Sequence, residues 1–95
     1  MIRSFGNRTT EALYHGGGSQ ARRIPQDIQR RALRKLDMLN AAQSRQDLRA
    51  PPGNHLEQLS GDPRGLTSIR INEQWRLVFR WSDGDAYEVQ IEDYH

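Results

Sequence analysis

The sequence predicts an α+β domain of the order β-α-α-β-β-β, in which a small antiparallel sheet packs against two N-terminal helices. The first half holds a run of apolar residues at helical spacing. The second half holds three runs in which apolar and polar residues alternate, with polar or glycine-containing turns between them. The 95 residues suit one compact domain, residues 1–95, and no repeat indicates a second.

The N-terminal part predicts a short strand and a short helix. Residues 2–5 alternate enough to begin a strand, and the polar residues 7–10 offer N-cap choices for a helix through Leu13 and Tyr14. Residues 16–19, Gly-Gly-Gly-Ser, then end the helix. No Lys-Ser/Thr pair follows these glycines at the spacing of a phosphate-binding loop, so we expect a flexible connector.

The second helix is the clearest element in the sequence. Pro25 suits its first turn. The apolar residues share one stripe at 3.6-residue spacing: Ile28, Ala32, Leu36 and Leu39. The other side carries Arg30, Arg34 and Asp37, a charged face that solvent or a partner could contact. Residues 47–49 predict one more turn of helix before the proline-glycine break at residues 50–54.

The second half predicts three strands with an apolar face toward the helices and a polar face away from them. Turns are expected at residues 72–74 and 83–85. The apolar positions are Thr67, Ile69 and Ile71 in the first strand, Trp75, Leu77, Phe79 and Trp81 in the second, and Tyr87, Val89 and Ile91 in the third.

The strand register decides which charges meet on the polar face. We expect Phe79 opposite Val89, with Leu77 between Ile69 and Ile91. Arg80 then lies opposite Glu88. Arg76 lies opposite Glu92 on one side and opposite Arg70 on the other, and directly opposed like charges are unfavourable in a sheet. Three guanidinium groups against two carboxylates form either an exposed ladder of salt bridges or a cationic surface for a phosphate backbone.

The composition limits the class of protein. Cysteine is absent, which excludes a disulfide framework and a thiolate zinc site and suits a reducing compartment. No apolar run approaches a membrane span, and the N-terminal residues lack a signal-peptide core, so a cytoplasmic protein is expected. The hydrophobic fraction is only 35%, which predicts a thin core that a partner protein stabilises.

Arginine dominates the basic residues: thirteen of the fourteen are Arg and one is Lys. The planar guanidinium binds phosphate bidentately and stacks on bases. A GC-rich coding bias is the alternative explanation. Because the formal net charge is only +2, the sequence argues against general coating of nucleic acid and permits a local basic face.

The last three residues, Asp93-Tyr94-His95, bring together a carboxylate, a phenol and an imidazole at the end of the final strand run. A paired strand ties down residues that otherwise fray. These groups cover the acid–base range that cleavage of a phosphodiester needs, so the sequence predicts a site here.

Several short motifs together resemble one known family. They are Met1-Ile2-Arg3-Ser4-Phe5, Leu59-Ser60-Gly61-Asp62-Pro63-Arg64-Gly65, Ser68-Ile69-Arg70, Trp75-Arg76-Leu77-Val78-Phe79, Asp83-Gly84-Asp85-Ala86-Tyr87 and Glu92-Asp93-Tyr94-His95. Their order and spacing resemble the HigB-like branch of the RelE/ParE toxin superfamily over nearly the whole chain.

The resemblance implies a RelE-like fold and the toxin of a type II toxin–antitoxin pair. Such toxins enter the ribosomal decoding site and cut mRNA there. The implied partners are the ribosome, mRNA and a helix-turn-helix, HigA-like antitoxin, through which the complex contacts operator DNA. A toxin of the same superfamily that poisons gyrase is one alternative, and a non-enzymatic binding module is another. The terminal triplet argues against the gyrase alternative.

The resemblance also implies roles for individual residues. Asp93, Tyr94 and His95 match the functional triplet of the family, and Arg64, Arg70 and Arg76 match its basic RNA-facing positions. To this RNA-binding set the register adds Arg80.

Two residues, Glu57 and His55, are candidates for the second acid–base group of the expected site. Some relatives carry a histidine four residues before the Gly-Asp pair, where this chain has Glu57, and His55 lies two positions earlier. If this segment is a strand, both side chains project to the same side.

If the RNA is cleaved by attack of its own 2′-hydroxyl, each of these residues has an expected role. His95 is expected to transfer the proton, with Asp93 orienting it and Tyr94 stacking or donating a hydrogen bond. Arg70 and Arg76 would stabilise the charge that develops on the phosphate. No cofactor and no metal are expected, because the histidines and carboxylates lack a specific ligand spacing.

Overall fold

A computed structural model of the protein describes residues 1–59 and 65–93. Its helices are α1 (Arg8–Tyr14), α2 (Gln26–Ala41) and α3 (Arg45–Arg49), with 3-10 turns at Gln20–Arg23 and Pro52–Asn54. Its strands are β1 (Glu57–Gln58), β2 (Leu66–Arg70), β3 (Trp75–Ser82) and β4 (Asp85–Asp93). The strands form one antiparallel sheet in the order β1-β2-β3-β4, which confirms the α+β fold. No helix in the described ranges is long and apolar enough to cross a membrane.

The first predicted strand is less regular than expected. Residues 2–5 make only two isolated parallel bridges to β4, one between Ile2 and Ala86 and one between Phe5 and Val89. Between these bridges the Ser4 hydroxyl accepts a hydrogen bond from the Glu88 N–H at 2.8 Å. The segment therefore covers the β4 edge without forming a continuous strand.

The predicted apolar stripe of α2 forms the centre of the core. Ile28, Ala32, Leu36 and Leu39 are all buried, and they share one cluster with residues from the helix-facing side of the sheet: Ile69, Leu77, Phe79, Val89 and Ile91. Burying this stripe is what stabilises α2, because most of the stability of helices in proteins comes from the packing of an amphipathic face.

Side chains fix how the shorter elements join this core. The Asn7 side chain caps α1 by accepting from the Thr10 N–H at 2.9 Å, and the Thr10 hydroxyl accepts from the Ile91 N–H of β4, also at 2.9 Å. Asn54 is fully buried and donates to the Leu48 carbonyl at 3.0 Å, while its Oδ1 accepts from Lys35 of α2. These contacts tie α1 to the sheet and α3 to α2.

The expected register holds over half of the sheet and changes at one position. Leu77 lies between Ile69 and Ile91, and Arg76 lies between Arg70 and Glu92, as predicted. A β-bulge shifts the pairing beyond Val78, so Arg80 lies opposite Tyr87 and the predicted register pair Arg80–Glu88 is wrong, although the two charged side chains still form an ion pair. The physical reason is Glu88, which adopts a φ of 56° and is the extra residue of β4 at the bulge.

Candidate active site on the outer face of the sheet

The face of the sheet turned away from α2, here called the outer sheet face, carries Ser68 and Arg70 of β2 and Arg76, Val78 and Arg80 of β3. It is more enclosed than the sequence predicts. Ser68 and Val78 are 0% and 1% exposed, and Arg76 is 8% exposed. Of the two alternatives for this face, the exposed ladder of salt bridges does not hold at Arg76, because this residue is buried within the fold and makes hydrogen bonds there.

Arg76 connects three segments of the chain. Its Nε donates to the Ser68 Oγ at 2.9 Å, and its Nη2 donates to the His55 carbonyl at 2.7 Å. The same Nη2 lies 3.9 Å from Oε2 of Glu57. A buried guanidinium needs such acceptors, since an unpaired buried charge is strongly unfavourable. Arg76 thus holds the segment before β1 against β2 and β3.

Arg70 and Arg80 are more accessible than Arg76. Arg70 is half-buried at the end of β2, and within the described residues its guanidinium makes no hydrogen bond or ion pair. The Arg80 guanidinium lies 3.7 Å from the Glu88 carboxylate and 4.7 Å from the centre of the Tyr87 ring. This second contact is a cation–π interaction, which the bulge makes possible by placing Tyr87 opposite Arg80.

The two candidates for the second acid–base group differ in backbone geometry. Glu57 is exposed on β1, opposite Ser68, and its carboxylate lies 3.9 Å from the Arg76 guanidinium. His55 is also exposed, but its φ of 44° places it outside the extended region. The strand alternation assumed for both residues therefore does not reach His55, whose described contact with Arg76 runs through its carbonyl.

Asp93 ends β4 on the helix-facing side of the sheet. It pairs with Trp75, which packs against the core, and its Oδ2 accepts from the Gln74 side chain at 3.1 Å. Because neighbouring residues of a strand point to opposite faces, the register places Asp93 and Arg76 on opposite sides of the sheet. The predicted site residues Tyr94, His95 and Arg64 lie outside the described residues.

Sequence reasoning missed two residues of this face. Alternation assigns Ser68 to the polar face but does not reveal its role as the acceptor for Arg76. It assigns Tyr87 to the apolar face, whereas the bulge moves this residue to the outer sheet face. Strand alternation could have indicated Ser68 as a site residue, since it lies two positions from Arg70 on the same face of β2. The sequence gives no signal for the bulge, because the residue that adopts the positive φ is a glutamate, Glu88, and not a glycine.

No group of three or more His, Asp or Glu side chains gathers in the described ranges as a set of metal ligands. What this part of the chain offers chemically is a set of guanidinium groups on one sheet face, flanked by the carboxylates of Glu57 and Glu92. Guanidinium groups so placed suit phosphate, which they bind with charge-assisted hydrogen bonds. This arrangement fits an anionic polymer better than an apolar ligand.

Comparison with known proteins shows the family of the chain. Residues 3–95 match the family described as the RelE-like toxin of type II toxin–antitoxin system HigB. "Toxin HigB-1" of Vibrio cholerae is 41% identical over 92 residues, which is 97% of this chain and 96% of the Vibrio protein. "Endoribonuclease HigB" of Proteus vulgaris is 30% identical over 95 residues and is covered completely, as is this chain. The chain therefore belongs to the HigB family of RelE-like toxins of type II toxin–antitoxin systems.

Proposed function

We propose that this toxin is an endoribonuclease that cuts mRNA on the ribosome and thereby stops translation. The supporting observation is the outer sheet face, where Arg70, Arg76 and Arg80 lie on two adjacent strands. The name of the Proteus vulgaris relative supports the reaction type. Because the substrate is a translated message, the protein acts in the bacterial cytoplasm.

The reaction needs a general base, a general acid and groups that stabilise negative charge on the phosphate. A base removes the proton of the 2′-hydroxyl, the 2′-oxygen attacks the adjacent phosphorus, and the bond to the 5′-oxygen breaks as an acid protonates that oxygen. Charge that builds on the phosphate is stabilised by Arg70 and Arg76, of which Arg70 is the more accessible. Preorganised donors suit this task, and the hydrogen bonds of Arg76 to Ser68 and His55 fix its guanidinium in place.

We assign proton transfer to His95, with Asp93 and Tyr94 as its neighbours and with Glu57 or His55 as the complementary group. An imidazole with an ordinary pKa of about 6.5 gives or takes a proton at neutral pH. Glu57 is favoured over His55 as the complement, since its carboxylate lies 3.9 Å from the Arg76 guanidinium. Arg64 and Arg80 complete the contacts to the RNA backbone.

The toxin has an antitoxin as its partner, as its family implies. We propose that this antitoxin is a helix-turn-helix, HigA-like protein and that the pair contacts operator DNA through it alone. A regulatory complex of this kind fits a toxin whose own net charge is only +2.

Induction of the toxin in cells without its antitoxin tests the proposal. Translation is expected to fall before DNA synthesis, and primer extension is expected to reveal new 5′ ends in messages. The matched control is a toxin carrying Arg70→Ala, which removes an accessible guanidinium and should leave most messages intact. If DNA synthesis stops first and messages stay whole, the protein poisons gyrase. If neither changes, it is a binding module.

A further inference from the structure

A cavity of about 310 Å³ lies near the bulge of β4. Its volume falls at the lower end of the range for small-ligand pockets, about 300–1,000 Å³. This cavity, here called the bulge cavity, is lined by Phe5, Gly6, Leu66, Glu88 and Gln90. The register places Leu66 and Gln90 on the outer sheet face, so the cavity opens on the face proposed to contact RNA. The proton transfer and the phosphate contacts proposed above use none of its lining residues.

Gln90 presents a hydrogen-bond acceptor to the bulge cavity. Its Nε2 donates to Oε1 of Glu92. This contact fixes the orientation of the amide, because a carboxylate accepts hydrogen bonds and the amide oxygen cannot donate one. The Gln90 Oε1 is therefore turned away from Glu92 and toward Gly6, another residue of the cavity. Within the described residues this oxygen accepts no hydrogen bond, so it is available to a donor on a ligand.

Glycine at position 6 keeps this acceptor accessible. A Cβ atom there would lie 2.7 Å from the Gln90 Oε1 and 2.8 Å from the Glu88 carbonyl oxygen, closer than Cβ atoms approach other heavy atoms in real proteins. Any other residue would therefore fill the cavity or displace β4. The buried side chain of Leu66 supplies an apolar surface in the same cavity. The bulge cavity thus combines an apolar surface with oxygen atoms that accept hydrogen bonds.

The bulge cavity lies between two of the arginines on the outer sheet face. Gln90 is opposite Val78, the residue of β3 halfway between Arg76 and Arg80. Each arginine is two residues from Val78 along the strand, a distance of about 7 Å. The Arg80 guanidinium borders the cavity, because it lies 3.7 Å from the carboxylate of Glu88. A polynucleotide whose phosphates contact both arginines would pass over the cavity.

We infer that the bulge cavity is a specificity subsite for a base of the message that carries an exocyclic amino group. This inference rests on the function proposed above and adds to it a determinant of base preference. Adenine, cytosine and guanine carry such an amino group, which would donate to the Gln90 Oε1, whereas uracil presents carbonyl oxygens instead. An oxygen of uracil against the Gln90 Oε1 would leave two acceptors without a donor, which is unfavourable. Leu66 contributes apolar contact with the base.

The test compares ribosome-bound messages that differ by one amino group. Adenosine is placed at each position near the cut in turn, and a matched series carries purine riboside there, which lacks only the amino group. The kcat/KM for cleavage is measured for wild type, Gln90→Met, Gln90→Glu and Gln46→Met. Methionine removes the oxygen at position 90 and glutamate keeps one, while Gln46→Met makes the first change at an exposed position of α3. Melting temperature and antitoxin binding are measured for each protein.

Wild type is expected to cut the adenosine message about 2- to 10-fold faster than the purine riboside message at one position, the usual contribution of one hydrogen bond. Gln90→Met should cut the two messages at equal rates. Gln90→Glu and Gln46→Met should keep the preference, and all variants should bind the antitoxin. A structural role for Gln90 would lower both rates together and leave their ratio unchanged. Should Gln90→Met fail to fold, Gln90→Leu carries the same test.

Three results would overturn the inference. The first is a wild-type toxin that cuts messages on ribosomes with the same preference as Gln90→Met, a result that leaves the proposed function intact. The second is loss of antitoxin binding in Gln90→Met with an unchanged base preference, which would assign the cavity to the antitoxin. The third is a wild-type toxin that cuts no message on ribosomes, a result that removes the proposed function as well.

Discussion

At the scale of single residues, burial separates two arginines that the sequence treats alike. Arg70 and Arg76 face each other across β2 and β3, and alternation alone assigns both to a polar face. Only the fold shows that Arg76 reaches the Ser68 hydroxyl and the His55 carbonyl. Strand periodicity predicts which face a residue lies on. It does not predict which distant loop covers that face.

Alanine at each of these two positions should therefore have different effects on stability. Arg76→Ala leaves buried acceptors at Ser68 and His55 without a donor, so it should lower the free energy of unfolding by about 1–3 kcal/mol. Arg70→Ala should stay within about 0.5 kcal/mol of wild type and should still weaken RNA binding. Urea unfolding with a parallel RNA-binding assay measures both effects. Equal loss of stability in the two variants would contradict the role given to Arg76.

His95→Ala tests the acid–base assignment. The variant is expected to keep its melting temperature, because the role assigned to His95 is chemical and not structural. Its mRNA cleavage should fall by about 10²–10⁴-fold, the usual contribution of a general acid or base. Tyr94→Phe is the matched comparison, because a phenyl ring retains stacking and should retain much of the activity. Full cleavage by a folded His95→Ala protein would transfer the assignment to Glu57 and His55.

At the scale of elements, the sequence predicts the long helix and the three long strands well. Apolar spacing in α2 and alternation in β2 to β4 are strong signals, because each element buries one continuous face. Short elements are predicted less well. The two-residue strand β1 and the bridges of residues 2–5 depend on partners far along the chain, on β2 and β4 respectively.

The bulge in β4 predicts an unusual response to glycine. Glu88 has a φ of 56°, a conformation that costs an L-residue about 1–2 kcal/mol and glycine much less. Glu88→Gly should therefore leave the free energy of unfolding unchanged or raise it by up to about 1 kcal/mol, although the substitution removes the carboxylate beside Arg80. Gln90→Gly, in the regular part of the same strand, should destabilise. Equal destabilisation in a chemical unfolding series would count against the bulge.

The turn between β3 and β4 is joined to the N-terminal segment by Asp85. Its carboxylate lies 3.1 Å from the Arg3 guanidinium and 3.4 Å from the Met1 ammonium group. The hydrogen bond from Arg3 is the main cause that lowers the pKa of Asp85 below its ordinary 3.8. The folded state therefore keeps this carboxylate ionised at pH values where the unfolded chain already binds a proton.

The lowered pKa of Asp85 determines how the effect of Asp85→Asn on stability depends on pH. Wild type should be more stable than the variant above pH 3.8, where the pair is fully formed. The difference should shrink as the pH falls from 3.8 through the lower pKa of the folded state, because protonation then removes the interaction. Thermal melts over an acid pH series measure it. A difference that stays constant down to the lowest pH would show that the Arg3 contact does not depend on charge.

At the scale of the whole molecule, the small net charge does not indicate how the cationic residues are distributed over the surface. The arginines of the outer sheet face and those of α2 are separated by the core. The excess of arginine predicts a local basic face, and alternation places it on the sheet. For the exposed arginines of α2, Arg30, Arg31 and Arg34, the sequence predicts only contact with solvent or an unspecified partner, because a helix sequence does not show whether its charges find partners in the fold.

Cleavage in a reconstituted system is the measurement that most directly tests the central claim, that this HigB-family toxin cuts mRNA on the ribosome. A defined message is incubated with the purified toxin, with and without translating ribosomes, and its 5′ ends are mapped by primer extension. We expect new ends inside the reading frame only when toxin and ribosomes are both present, and their loss with Arg70→Ala. A message that stays intact on ribosomes with folded wild-type toxin would contradict the claim.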